Sequence, residues 1–142
     1  MNNKLMPLPC ACATLRRASR ALSQGYEEAM RPLGLRATQF TILQALDLAR
    51  EVTQRKLGQI LGLDSTTLTR TLRIMTRAGW IAERRGADRR ERLLALSEEG
   101  RRVFDAASPY WEKAQAEMRQ RLGEVLWNEI FRVADKVTLS AV

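Results

Sequence analysis

Arginine and hydroxyl side chains at helical spacing form the strongest chemical signal in the sequence. The residues are Thr66, Thr69, Arg70, Arg73 and Arg77. Intervals of three and four residues place such side chains on one face of a helix, and this face carries no carboxylate. Hydroxyl and guanidinium groups hydrogen-bond to base edges in the major groove of DNA, where arginine pairs with guanine. The pattern therefore predicts a DNA-reading helix over residues 65–78.

A second group of arginines follows in a predicted β-hairpin. Residues 80–85 and 91–96 are predicted as its strands, joined by a turn at Gly86-Ala87-Asp88. The arginines at the turn and on its flanks are Arg84, Arg85, Arg89, Arg90 and Arg92. A run of charges is usually only a solvated face. Here the order of helix, turn, helix and basic hairpin is typical of a winged helix-turn-helix.

Local signals position the two helices of this motif. Thr53 and Asp64 are predicted N-caps, because their side-chain oxygens accept hydrogen bonds from free amides of the first turn. Gly62 is predicted to end the first helix, since glycine adopts a positive φ without strain. The residues predicted to face the core are Leu57, Ile60, Leu61, Leu68, Leu72 and Met75.

Long amphipathic helices are predicted on both sides of the motif. The first spans about residues 10–31, and the second is predicted to begin at an N-cap formed by Thr38. After the hairpin, Ser97 is predicted to cap a long helix that Pro109 kinks or breaks, and a last helix follows. We call the winged helix-turn-helix part, residues 37–100, the reader head. With about 60 residues it has too small a surface to cover all the apolar residues of the terminal helices.

The predicted fold is mainly α with a small β wing. We expect one domain over residues 1–142, in which residues 37–100 form the winged helix-turn-helix. Residues 10–36 and 101–142 are predicted to pack together, and against a second copy, as a dimerisation layer. The alternative is that they complete one monomeric helical core. A dimer presents two readers to half-sites one helical turn apart.

The net charge of +8 is unevenly distributed. Residues 65–92 carry eight basic and three acidic groups, a net of +5, which favours binding to phosphates. The chain has no histidine and two cysteines, so we expect no metal site of the usual Cys/His kind and no cofactor. The sequence has neither an apolar run long enough to cross a membrane nor a secretory signal, and a cytoplasmic location is expected.

Residues 57–100 resemble the MarR family of winged helix-turn-helix regulators. The resemblance lies in LGQILGLDSTTLTRTLRIMTRAGWI, in the wing RRGADRRERLLALSEEG, and in TQFTILQAL from residue 38 to residue 46. The family's wing has an Asp, one spacer and an Arg, and then Leu-Thr or Leu-Ser followed three residues later by Gly. Here these are Asp88 and Arg90, then Leu96-Ser97 and Gly100.

The resemblance implies a homodimer of triangular outline whose partner is double-stranded DNA carrying a pseudo-palindromic operator. It implies that the helix of residues 65–78 enters the major groove and that Arg90, held by Asp88, enters the minor groove. The predicted DNA-binding residues are Ser65, Thr66, Thr67, Thr69, Arg70, Arg73, Arg77, Arg84, Arg85, Asp88, Arg89 and Arg90. Members of this family usually repress transcription. Many release DNA on binding a small aromatic ligand, and others respond to cysteine oxidation.

Two candidate sensors follow. Cys10 and Cys12 lie near arginines at a helix start, which favours the reactive thiolate, and a bond between subunits is less strained than one within the pair. Arg16, Tyr26 and Trp111 are predicted to line a pocket with aromatic walls and one cation. The alternatives are ordinary helix packing for the cysteines and ordinary core or interface aromatics for the pocket.

Other functional classes fit less well. A winged-helix adaptor for protein partners is one alternative, although adaptors commonly lose the basic face. A nonspecific architectural DNA-binding protein is another. An enzyme is not expected, because the sequence has no histidine, no glycine-rich phosphate loop and no nucleophile with an obvious base nearby.

Overall fold

The computed structural model describes residues 5–141, and these form six α-helices and three short β-strands. The helices are α1 (Ala11–Met30), α2 (Ala37–Ala49), α3 (Gln54–Leu61), α4 (Ser65–Arg77), α5 (Glu98–Leu122) and α6 (Glu124–Ser140). The strands are β1 (Val52–Thr53), β2 (Ile81–Arg85) and β3 (Arg92–Leu96). The predicted fold class, mainly helical with a small β wing, is confirmed. Residues 1–4 and 142, at the ends of the predicted domain, lie outside the described residues.

The two predicted caps form at the starts of α3 and α4. Thr53 Oγ1 accepts from the backbone amide of Lys56 at 3.1 Å, and Asp64 Oδ1 accepts from that of Thr67 at 2.8 Å. Gly62 follows α3 with a φ of 63°, the left-handed conformation that lets the chain turn sharply into α4. Local sequence chemistry therefore positions α4 as expected.

The inner faces of α3 and α4 pack into the core. Leu57, Leu68, Leu72 and Met75 are buried there. Ile60 is different: its side chain is 52% exposed, so the prediction that it faces inward is wrong. In a helix of only eight residues, Leu57 and the half-buried Leu61 already fill the contact with the core, and Ile60 falls to their flank.

The wing is an antiparallel sheet of three strands in the order β1-β3-β2, rather than a hairpin of two. Ile81 pairs with Leu96 at the base of the wing, and Val52 of β1 pairs with Leu94. Val52, Ile81 and Leu94 are buried, so one face of the sheet closes the core beneath α4. Strand β1 has only two residues, too few to show an alternating pattern in the sequence.

Helix α2 forms the centre of the core. Its residues Phe40, Ile42, Leu43 and Leu46 are buried. The ring of Phe40 stacks on Phe104 of α5, with ring centroids 5.6 Å apart, and lies 5.8 Å from Trp111. These aromatic contacts join the reader head to the long helix α5.

The start of α2 is held by α1. Oε1 of Glu27 in α1 accepts from the backbone amide of Ala37 at 3.1 Å, and its Oε2 lies 3.0 Å from Nε of Arg36. The prediction of Thr38 as the N-cap is wrong, because the helix already begins at Ala37. A carboxylate distant in sequence therefore satisfies an amide that a local hydroxyl was expected to satisfy.

The terminal helices extend away from the reader head. Helix α5 continues through Pro109, so of the two predicted outcomes, a kink or a break, the break does not occur. Helix α6 has no buried residue and exposes apolar side chains, among them Val125, Leu126, Phe131, Val133, Val137 and Leu139. None of the helices in residues 5–141 combines the length and apolar character needed to cross a membrane.

The base of the wing and the start of α5 meet at Gly100. Ser97 donates from its backbone amide to the carbonyl of Trp80 at 3.1 Å and from its hydroxyl to the carbonyl of Gly79 at 2.6 Å. The same hydroxyl caps α5 by accepting from the amide of Gly100 at 3.0 Å. A Cβ at Gly100 would overlap the carbonyl oxygen of Trp80 and come within 2.9 Å of its carbonyl carbon.

We expect Gly100→Ala to lower the free energy of unfolding by about 1–3 kcal/mol, because backbone at the wing base must move to accept the methyl group. Gly25→Ala is the control, since a Cβ at Gly25 meets nothing within 4 Å and α1 has a normal helical conformation there. This control should be neutral or stabilising by up to about 1 kcal/mol. Urea denaturation of both variants measures the difference, and equal stability of the two would contradict the tight contact.

Candidate nucleic-acid interface

The outer face of α4 gathers most of the predicted reading residues. Ser65, Thr66, Thr69, Arg70 and Arg73 are exposed and line one shallow groove on this helix. Arg77 is exposed in the last turn of the same helix. The face presents hydroxyl and guanidinium donors without a carboxylate, which suits the edges of bases and the phosphates beside them.

Thr67 is used within the helix cap. Its amide donates to Oδ1 of Asp64, and its hydroxyl donates to Oδ2 of the same carboxylate at 2.8 Å. These hydrogen bonds, the backbone one first, hold the pKa of the Asp64 carboxyl below its usual value. The carboxylate stays ionised at the positive end of α4, and Thr67 uses its amide and its hydroxyl to hold the helix start.

Gln54 was not predicted as part of the outer face of α4, but its side chain contacts that face. As the first residue of α3, it donates from Nε2 to Oγ1 of Thr69 at 3.1 Å. The bond joins the first helix of the motif to the outer face of the second. Its signal in the sequence is weak, since it consists only of a polar residue directly after the N-cap Thr53.

The wing tip has a defined turn. Asp88 Oδ1 accepts from the backbone amide of Arg90 at 3.1 Å, and the carbonyl of Asp88 accepts from Glu91 at 2.9 Å. Gly86 closes the turn by donating to the carbonyl of Glu91 at 3.0 Å. Asp88 therefore holds the backbone of Arg90, and the guanidinium of Arg90 extends from a turn of fixed shape.

The arginines of the wing differ in their partners. Arg85, Arg89 and Arg90 are exposed and border a polar concavity of about 400 Å³. Arg84 instead forms a two-point contact with Glu51, with Nε donating to Oε2 at 2.7 Å. This hydrogen bond is the main reason that the pKa of the Glu51 carboxyl is lowered. Arg92 lies 3.4 Å from Glu83 on the adjacent strand.

Ion pairing divides the arginines of the described chain into two groups. Within residues 5–141, no carboxylate pairs with six arginines of the reader head: Arg70, Arg73, Arg77, Arg85, Arg89 and Arg90. Arginines of α5 and α6 do have carboxylate partners, as in Arg119 with Glu124 and Arg132 with Glu129. Arg16, Arg17 and Arg20 of α1 also lack a carboxylate partner within the described chain, so ion pairing distinguishes α4 and the wing tip from α5 and α6 but not from α1.

A separate cavity of about 320 Å³ lies between the reader head and the terminal helices. Its aromatic walls are Tyr26, Phe40, Trp111, Trp127 and Phe131, and its uncharged polar groups include Thr41, Gln44 and Gln115. Two predicted residues, Tyr26 and Trp111, are thus brought together, but Arg16 is exposed outside the lining. No charged residue lines the cavity among those described.

Tyr26 links two sides of this cavity. Its hydroxyl donates to Oε1 of Gln115 in α5, and burial raises the pKa of the phenol. The group therefore remains a neutral hydrogen-bond donor. Cys10 and Cys12, the other predicted sensors, are both exposed free thiols at the start of α1, apart from the cavity.

Two helices at a tight turn, an acid-free outer face on the second, and an arginine-rich wing define a winged helix-turn-helix protein of the DNA-binding class. A sequence profile of the MarR family matches residues 33–91, which include the motif and most of the wing. The transcriptional regulator MosR from M. tuberculosis, solved in complex with DNA, is 38% identical and superposes with a TM-score of 0.83. That alignment covers 93% of this chain and 96% of MosR.

The chain belongs to the MarR family, whose members are transcriptional regulators and not enzymes. It is also 33% identical over 90 residues to an organic hydroperoxide resistance regulator of Bacillus subtilis, covering 63% of this chain and 61% of that protein. A mutant of E. coli MarR in complex with operator DNA shares the fold, with a TM-score of 0.79 at 21% identity. That match covers 88% of this chain and 91% of MarR.

Proposed function

We propose that this protein is a homodimeric repressor that binds a pseudo-palindromic operator and releases it in response to a chemical signal. The observation that carries the proposal is the division of the arginines. Six guanidiniums on α4 and the wing have no carboxylate partner within residues 5–141, whereas those of α5 and α6 are largely paired. Unpaired cations on an exposed, acid-free surface gain most from contact with phosphates, through release of counterions.

The geometry of the surface suggests how each element contacts DNA. Helix α4 enters the major groove, where Thr66 and Arg70 read base edges while Arg73 and Arg77 hold phosphates or a base edge. The wing reaches the adjacent minor groove with Arg90, since a narrow minor groove has a strongly negative potential. The Asp88 turn supports this role by fixing the backbone from which Arg90 extends.

The surface area of the chain supports a dimer. The isolated chain exposes 10725 Å². A compact monomer of this length exposes only about 7,500 Å². Part of this excess surface lines an apolar groove of about 620 Å³ between α1 and α6. Its lining includes Leu15, Leu126, Val133 and Val137. Burying this groove against a second copy would place two reading helices on one side of the assembly.

We expect Val133→Glu to convert the dimer into a monomer, because it places a charge in the apolar groove. Asn128→Glu is the matched control, since it adds the same charge to an exposed position of α6 outside that groove. Sedimentation velocity measures the mass of each variant. A wild-type protein that sediments as a monomer at micromolar concentration would contradict the proposed assembly.

We expect Arg90→Ala to weaken operator binding by about 1–3 kcal/mol, with the fold unchanged. Lys113→Ala is the control, because it removes one exposed cation from the middle of α5. Fluorescence anisotropy would compare the protein's own upstream intergenic DNA with a random duplex of equal length at two salt concentrations. Wild-type operator affinity in Arg90→Ala would contradict the assignment of the wing as a DNA contact.

The same titration separates the other functional classes. A specific regulator prefers its operator by about a thousandfold or more, and its affinity falls steeply with salt. Equal affinity for both duplexes would favour a nonspecific architectural protein. No DNA binding at low salt would favour an adaptor for protein partners.

For the signal, we propose a neutral aromatic molecule in the cavity between the head and the terminal helices. Five aromatic side chains line it, and its polar groups are amides and hydroxyls without a charge, so a carboxylate would be buried there without a counter-ion. Tyr26 lies in the lining, and the next residue, Glu27, holds the first amide of α2. A ligand that displaces Tyr26 would therefore disturb the joint between α1 and the reader head.

Thiol oxidation is the second candidate signal. Cys10 and Cys12 are exposed, and the chain around them is held to α1 by bonds from Thr14 Oγ1 to the carbonyl of Leu8 and from Arg17 to that of Met6. An oxidised pair, or a bond between subunits, would strain this segment at the start of a helix assigned to the dimer layer.

One release assay distinguishes the two signals. We expect naphthalene-2-carboxamide to release operator DNA and to raise the melting temperature of the free protein, whereas the matching naphthalene-2-carboxylate does neither. Trp111→Ala should lose the response to the amide. Peroxide should release wild-type protein but not Cys10→Ser/Cys12→Ser, if oxidation is the signal. Stronger binding of the carboxylate would contradict the neutral cavity.

A further inference from the structure

Glu51 and Arg84 form an ion pair that spans the wing sheet. Glu51 directly precedes β1, whereas Arg84 belongs to β2, and β3 lies between these strands. Neighbouring strands are about 4.8 Å apart, so the pair bridges roughly 10 Å across the face of β3. The contact has two points, with both carboxylate oxygens accepting from the guanidinium. Only long side chains on both sides achieve this reach.

The backbone at Arg50, directly before Glu51, has a strained conformation. Arg50 has φ 66° and ψ −61°, and the amide of Glu51 donates to the carbonyl of Ala49 at 2.8 Å. These values describe a classic γ-turn, a rare and strained conformation for a residue other than glycine. Among residues 5–141, Arg50 is the only residue besides glycine with a positive φ. The turn ends α2 and directs the chain into β1.

The pair also connects the wing to the reading helix. From Glu51 the chain passes through Val52, paired with Leu94, to Thr53, which caps α3. The next residue, Gln54, donates to Thr69 on the outer face of α4. A continuous set of contacts thus runs from Arg84 in the wing to the surface that faces the major groove.

We infer that Glu51 is a positioning residue for DNA binding, and that it acts by locking Arg84 so that the wing keeps a fixed separation from α4. Arg84 then stabilises the wing instead of binding phosphate, in contrast to its predicted role in DNA binding. Because two grooves are contacted together, a wing that drifts loses operator affinity although every contacting residue is still present. This inference rests on the proposed function.

The test uses variants that keep the charges of Glu51 and Arg84 but cannot form their two-point hydrogen-bonded contact. Glu51→Asp shortens the carboxylate by one methylene, and Arg84→Lys removes the planar fork that matches it. Each should weaken operator binding by about fivefold while leaving the slope of affinity against salt unchanged. Arg90→Ala should lower that slope by about one unit, because it removes one cation from the DNA interface. The exchanged pair, Glu51→Arg with Arg84→Glu, should recover most of the lost affinity.

Glu91→Asp is the matched control. Glu91 is an exposed carboxylate of the same wing, and its side chain makes no ion pair within residues 5–141. Its affinity should equal that of the wild type. Thermal melting of each variant checks that it is folded.

A second readout does not involve DNA. In the free protein, amide hydrogen exchange of β2 and the wing turn should be faster in Glu51→Asp than in the wild type, because the edge strand is released. Unchanged exchange together with unchanged operator affinity would overturn the inference. A salt slope lowered by the neutral variant Arg84→Gln as much as by Arg90→Ala would also overturn it, since Arg84 would then bind phosphate directly. Failure of the wild type to prefer its operator would count against the proposed function, leaving hydrogen exchange to decide on the wing contact.

Discussion

In the proposed complex, α4 and the wing contact two grooves of one duplex and must be held at a fixed separation, and most of this structure serves that constraint. The buried face of the wing sheet, with Val52, Ile81 and Leu94, closes the core on which α4 lies. At the base of the wing, Ser97 bonds to the carbonyls of Gly79 and Trp80 and also caps α5. These contacts hold the base of the wing against α4 and α5. The rigidity arises from backbone contacts and apolar burial, and exposed ion pairs only refine it.

The reader head is joined to the terminal helices by a small number of contacts, which makes the joint a suitable place for regulation. Glu27 holds the first amide of α2, Asp47 of α2 lies 2.6 Å from Arg101 of α5, and Phe40 stacks on Phe104. The cavity lies beside these contacts and is bordered by the same helices. A molecule in the cavity would act on the relative position of two rigid layers, rather than on any residue that faces DNA.

Prediction from sequence succeeded where the physical cause is local. Caps at Thr53, Asp64 and Ser97 depend on an oxygen three residues from an amide, and this spacing is visible in the sequence. It failed where the partner is distant. Nothing near Thr38 reveals that Glu27 satisfies the start of α2, and nothing near Arg84 reveals Glu51, 33 residues away. Strand β1 exists only because β3 pairs with it, and the γ-turn at Arg50 is an outcome of the tertiary structure. The caps and the exposed arginine face of α4 were therefore predictable, whereas the contacts that fix its distance from the wing were not.

The net charge of the chain says less about its binding surface than the pairing of its arginines. Arginine occurs in nearly every helix, and counting cations gives a net positive charge to the start of the chain as well as to the wing. Ion pairs separate α4 and the wing tip from α5 and α6, because a guanidinium held by a carboxylate, such as Arg119 or Arg132, has little to gain from a phosphate. Arg16, Arg17 and Arg20 at the start of the chain have no carboxylate partner within residues 5–141, so pairing does not separate them from the wing. Arg84 is the instructive case: by sequence it belongs with Arg85, Arg89 and Arg90, and by structure it belongs with the paired arginines. In the proposed function, one carboxylate beside a strained turn moves Arg84 from the arginines that bind DNA to those that hold the wing.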